Sequence, residues 1–78
     1  MNREEADSFR FMMRHFRREF ELTQADLAIA MKVNRHSIQK IESGGMIPWS
    51  STVESFFAVK EMFERNREME EMGMEGLS

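Results

Sequence analysis

The 78-residue chain has no cysteine, no tyrosine, one proline, one tryptophan, two histidines and four glycines. Without cysteine, neither a disulfide framework nor a thiolate metal site is open to it. The glycines stand at Gly44, Gly45, Gly73 and Gly76, too sparse for a phosphate-cradling loop. His15 and His36 fall on separate segments and supply no ligand set for a metal. These absences leave no catalytic constellation, so an enzyme is not expected, nor is a cofactor, metal or small-molecule ligand. No apolar run approaches the length of a membrane span, and the opening M-N-R-E-E lacks the apolar core of a signal peptide. A single cytoplasmic domain is expected, with no membrane partner. A core this small makes dimerisation an expected source of stability.

What is present is helical punctuation. No Gly or Pro occurs before Gly44, so any earlier break must be made by caps and turns. Asn2 with Glu5 fits a capping box ahead of a first helix reaching about Phe20. Phe9, Met12, Met13, Phe16 and Phe20 recur at three- and four-residue steps and form its apolar stripe. Thr23 with Asp26 caps a second helix, whose inward face is Leu27, Ala28 and Met31. Lys32 and Val33 occupy a turn, and Asn34 caps a third helix with Ile38 and Ile41 inward. Gly44-Gly45 ends that helix. After Pro48, Ser51 with Glu54 reads as a further box opening a fourth helix near Thr52, with Val53, Phe56, Phe57 and Phe63 as its core face. The pattern lets this helix run to Met72, leaving residues 73–78 as a flexible tail. Trp49 is expected to pack under the loop, and His15 to lie on the surface. The fold class is all-α, with a domain over residues 1–72.

Charge is unevenly spread over a total of −3. Residues 1–22 carry five arginines against five acids, and residues 23–51 carry Lys32, Arg35 and Lys40 against Asp26 and Glu42. Residues 52–78 carry three basic and seven acidic groups. A local basic face can bind phosphate while the remaining surface repels it, which implies weak non-specific affinity with a steep salt dependence.

At Gln24–Ser43 the sequence resembles the helix-turn-helix of the lambdoid-phage repressor and Cro superfamily. The matching residues are Gln24, Leu27, Ala28, Met31, Val33, Ile38, Ile41, Glu42 and Gly44, with Leu22-Thr23 before them and Pro48 after. The likeness covers roughly residues 10–63 and implies a compact four- to five-helix repressor-like domain. Two departures stand out: Lys32 occupies the turn position where such proteins usually have Gly, and the chain continues past Phe63 as helix rather than as a short fifth helix. The resemblance also implies an ion pair between Arg17 and Glu42.

A recognition helix at about 34–43 would read major-groove base edges with its first two turns. Arg35 suits guanine, Gln39 an adenine edge or a phosphate, His36 a base acceptor or a phosphate, and Lys40 guanine or backbone. Gln24 suits a phosphate at a helix N-terminus, and Ser43 with the glycines suits the next one. Asn34 belongs to the same face but reads first as a cap. On the fourth helix Val59, Met62, Asn66 and Met69 form a second stripe, which implies a homodimer seam with Asn66 setting register. The implied function is a transcriptional regulator, an autoregulatory repressor binding an inverted-repeat operator in double-stranded DNA as a homodimer. Its expected location is the nucleoid of a bacterial or phage-infected cell. The rival is an antitoxin or adaptor that uses the same fold to bind a partner protein through its acidic C-terminal helix.

Overall fold

The computed structural model describes the backbone of residues 1–77 and the side chains of residues 1–72. It is all-helical over that span, with four helices: α1 (Arg3–Glu19), α2 (Gln24–Met31), α3 (Arg35–Ser43) and α4 (Ser50–Leu77). None is long and apolar enough to cross a membrane.

Side-chain caps open the first three helices. The Glu5 N–H donates to Asn2 Oδ1 at 2.8 Å, and Glu5 Oε1 accepts from the Asn2 N–H at 3.4 Å. Thr23 and Asp26 exchange the same two bonds at 3.0 Å each. Asn34 accepts from the His36 N–H at 2.8 Å. Each satisfies N–H groups that the first helical turn leaves without partners.

The same three helices also end alike. At α1 the Leu22 N–H reaches the Arg17 carbonyl, at α2 Val33 reaches Ala28, and at α3 Gly45 reaches Lys40. In each, the residue just before the donor is left-handed: Glu21 at φ 55°, Lys32 at φ 59° and Gly44 at φ 82°. This is the Schellman ending, whose special position glycine usually fills. Only the third has its glycine. The Lys32 position agrees with the turn read from the sequence, and the left-handed Glu21 falls at the break that the sequence places at Glu21-Leu22.

The core unites Phe9, Met13 and Phe16 of α1 with Leu27, Ala28 and Met31 of α2, Ile38 and Ile41 of α3, and Phe56 and Val59 of α4. An aromatic ladder fastens α4 to α1. Ring centroids lie 5.2 Å apart for Phe9–Phe56, 5.6 Å for Phe16–Phe63 and 5.5 Å for Phe20–Phe63, all edge-on. Such pairs add about 0.5–1.5 kcal/mol each beyond the area they bury. The ascending order of the contacts means that α1 and α4 run side by side in the same direction.

Several expectations for α4 need correction. The helix opens at Ser50, and the Trp49 carbonyl accepts the Thr52 and Val53 N–H groups, so Ser51 lies inside the first turn and caps nothing. Phe57 is 45% exposed, because its position is rotated off the face that Phe56 and Phe63 share. Val59 is only 5% exposed: it stands three after Phe56 and four before Phe63, which puts it in this chain's own core and not on a seam for a partner. Met12 is likewise 38% exposed, on the shoulder of the α1 stripe. Trp49 does not pack under the loop, and Pro48 is the buried residue there. The backbone also stays helical past Gly73, an isolated glycine costing only about 1 kcal/mol in a helix. Of the residues read as a tail, Ser78 lies outside the described residues.

Two outcomes are expected. Lys32→Gly relieves left-handed strain of about 1–2 kcal/mol but frees the unfolded chain by about 0.4–1 kcal/mol. Urea unfolding should therefore show a net gain below about 1 kcal/mol, and a loss would mean that Lys32 is unstrained. The Asp26 carboxylate, held below the usual aspartate range by the backbone and then the hydroxyl of Thr23, stabilises the fold above the unfolded-state pKa. That contribution disappears as pH falls through the folded value, so an Asp26→Asn variant should lose less stability than wild type on titration below about pH 4.

Candidate nucleic-acid interface

Helix α3 has two faces with different occupants. Ile38 and Ile41 are buried against α1 and α2, together with Glu42. Arg35, His36, Gln39, Lys40 and Ser43 are all exposed, and their spacing puts them on one side. Among the described residues, Arg35 and Lys40 form no ion pair, whereas Arg10, Arg17, Lys60, Arg65 and Arg67 each hold an acid. The α3 face is thus a patch of uncommitted donors on an acidic protein.

What fixes this helix in place is the acid at its inner edge. Glu42 is 5% exposed, the one buried charged residue among those described. Arg17 of α1 donates to it through Nε and Nη2, both at 2.7 Å, and through Nη1 to the Leu22 carbonyl at 3.1 Å. The fork is bidentate, the strongest geometry available to a carboxylate and a guanidinium. The Glu42 hydrogen bond, opposed in part by burial, raises the pKa of Arg17 further and keeps it charged. Gln24 Nε2 completes the set, donating to Glu42 Oε1 at 3.2 Å. One carboxylate therefore ties α3 to α1 and to the first residue of α2.

This geometry changes the roles of several residues. Gln24 is half-buried with one N–H of its amide on Glu42, so the second N–H and the oxygen remain for outside contact. Asn34 spends its side-chain oxygen on the cap of α3. The Ser43 hydroxyl donates to the Lys40 carbonyl at 3.0 Å, and the Gly44 and Gly45 N–H groups donate to Ile41 and Lys40. The end of α3 consequently offers no spare N–H from either glycine. Of the stripe on α4, Met62, Asn66 and Met69 are exposed and Val59 is not. His15 is exposed, its Nε2 3.8 Å from Glu19 Oε2, and among the described residues no three His, Asp or Glu side chains converge as metal ligands.

Sequence reasoning missed the neighbourhood at the C-terminal end of α3. A cleft of about 320 Å³ opens there, walled by Arg3, Asp7 and Arg10 of α1 and by Ser43 and Gly44. The Arg10 head lies so close that a Cβ at Gly44 would stand 3.5 Å from it. Trp49 and Ile47 stand exposed at 74% and 53% in the following loop. Arg3 and Arg10 sit more than thirty residues upstream of Ser43 and Gly44, and only the packing of α1 against α3 brings them there. No family model, curated protein or solved structure matches this chain.

Removing one partner of the shielded pair strands the other's charge. Arg17→Ala should lower stability by about 3 kcal/mol, the low end for such pairs because the arginine side chain is 20% exposed. Thermal unfolding of Arg17→Ala, Glu42→Ala and the double variant measures the coupling. Additive losses would mean that the two charges do not depend on each other.

Proposed function

We propose that the chain is a sequence-specific DNA-binding regulator of transcription, in which α2, the turn at Lys32-Val33 and α3 act as a helix-turn-helix. The observation that carries this reading is the exposed, unpaired polar face of α3. Among the described residues no acid pairs with Arg35 or Lys40. The resemblance to phage repressors and Cro over residues 10–63 supports the same reading.

In this mechanism α3 enters the major groove with Arg35 forking onto guanine O6 and N7, and with Gln39 and His36 contacting neighbouring base edges. Lys40 takes a base or a phosphate, and the free N–H of the Gln24 amide is left to donate to a phosphate. The network on Glu42 pre-organises the reader, so no helix has to be ordered at the moment of binding. Half of the acidic residues are on α4, a separate element from α3. Regulation follows from occupancy: a homodimer on an inverted-repeat operator excludes polymerase, and an operator beside its own gene makes the protein its own repressor.

A second reading draws on the exposed Met62, Met69 and Met72 of α4, at 50%, 62% and 69%, which suit a groove on a partner protein as in an antitoxin or adaptor. Selection of bound sites from random DNA separates the two. The DNA reading expects an inverted repeat with half-sites about one helical turn apart. It also expects Arg35→Ala to cost about 1–3 kcal/mol and to relax preference at one base pair. Recovery of no common sequence, or an Arg35→Ala variant with unchanged affinity and preference, would rule it out.

A further inference from the structure

Helix α4 outruns the body that it packs on. Twenty-eight residues span about 42 Å, while α1 beside it stops at Glu19. The last tie between them is Arg67, with Nη1 2.9 Å from Glu19 Oε1 and its guanidinium 3.9 Å above the Phe20 ring. From Glu68 to Met72 every side chain is exposed. The result is a step: the end of α1 forms its riser and the continuing α4 its tread. A hollow of about 300 Å³ sits in the corner, lined by Phe20, Phe63, Asn66 and Glu70.

The step and the outer face of α1 have opposite charge. On the overhang, Glu70 and Glu71 form no ion pair among the described residues, and Arg65 and Arg67 are committed to Glu61 and Glu19. On α1, away from its buried stripe, the half-buried Arg14 and the exposed Arg18 also form none among the described residues and follow Phe11, which is 59% exposed. Two overhangs laid against each other would instead bring like charges together, and Val59 is buried. A seam of α4 on α4 is therefore disfavoured.

We propose that the step receives the C-terminal part of α1 from a second copy of this chain. Because α1 and α4 run in the same direction, a two-fold axis past the end of α1 sets the two α1 ends against each other. The same axis lays each overhang antiparallel along the outer face of the partner's α1. At a rise of about 1.5 Å per residue, Glu70 and Glu71 are adjacent while Arg14 and Arg18 are one turn, about 6 Å, apart, so the two long arginine side chains reach the acidic pair from either end of that turn. The contact forms twice, so the assembly closes at two copies. This assigns a surface to the homodimer of the functional reading and uses no residue of α3.

Sedimentation equilibrium on the full chain tests it. Wild type is expected to be a dimer whose dissociation constant rises with salt, as exposed charge pairs require. Arg14→Glu/Arg18→Glu and Glu70→Arg/Glu71→Arg should each raise that constant roughly 10- to 100-fold while keeping wild-type circular dichroism. An equimolar mixture of the two variants should dimerise again, since each mixed contact restores opposite charges. A monomeric wild type, a salt-independent dimer, an unaffected charge-reversed variant or a mixture that stays monomeric would overturn the proposal. DNA binding is read separately: an operator-blind protein that still dimerises leaves this contact standing, and a wrong contact leaves the α3 reading standing.

Discussion

The fold depends on a single carboxylate. Glu42 is the place where three helices of separate origin in the chain are made to agree, because Arg17, Gln24 and Glu42 come from α1, α2 and α3. Apolar packing is tolerant of small rotations, and Ile38 or Ile41 would remain buried if α3 turned a little about its axis. A bidentate fork at 2.7 Å is not tolerant. It sets the rotation of α3, and with it the direction in which Arg35, His36, Gln39 and Lys40 point. Burying an ion pair is a poor way to gain net stability, since desolvation offsets most of the attraction. What this pair provides is orientation.

Much of the frame was legible in the sequence for local reasons. Asn2, Thr23 and Asn34 act within their own helical turn, so their role follows from spacing alone. The two isoleucines of α3 are equally local. The Arg17–Glu42 contact spans 25 residues and came only through family resemblance. Helix α4 was read less well, and the reason is physical. Val53, Phe56, Phe57, Val59, Met62 and Phe63 cover more than half of its circumference, so periodicity does not say which arc is inward. The choice is made by α1, whose Phe9, Phe16 and Phe20 select the arc with Phe56, Val59 and Phe63 and leave Phe57 and Met62 outside. Trp49 failed for a related reason: a large apolar residue is expected to be covered, but the buried Pro48 already occupies the space under the loop.

The distribution of charge has the same logic as the distribution of apolar groups. The net charge of −3 describes no surface of the molecule. Five of the eleven lysines and arginines hold an acid among the described residues, and the uncommitted ones lie on α1, on α3 and at the turn before it. The uncommitted acids at the end of α4 extend beyond the body. An average over the chain therefore hides two basic faces and one acidic arm.

The parallel pairing of α1 and α4 also bears on how the molecule assembles. Phe9 meets Phe56 and Phe16 meets Phe63, each across 47 positions of sequence. Bringing such distant segments together costs about 3 kcal/mol of chain entropy before the rings contribute anything. The α2–α3 pair closes over a turn of three residues and incurs little of that cost. The contact order is thus split: a fast local hairpin of helices that holds the exposed polar face of α3, and a slow clasp between the ends of the domain that completes it.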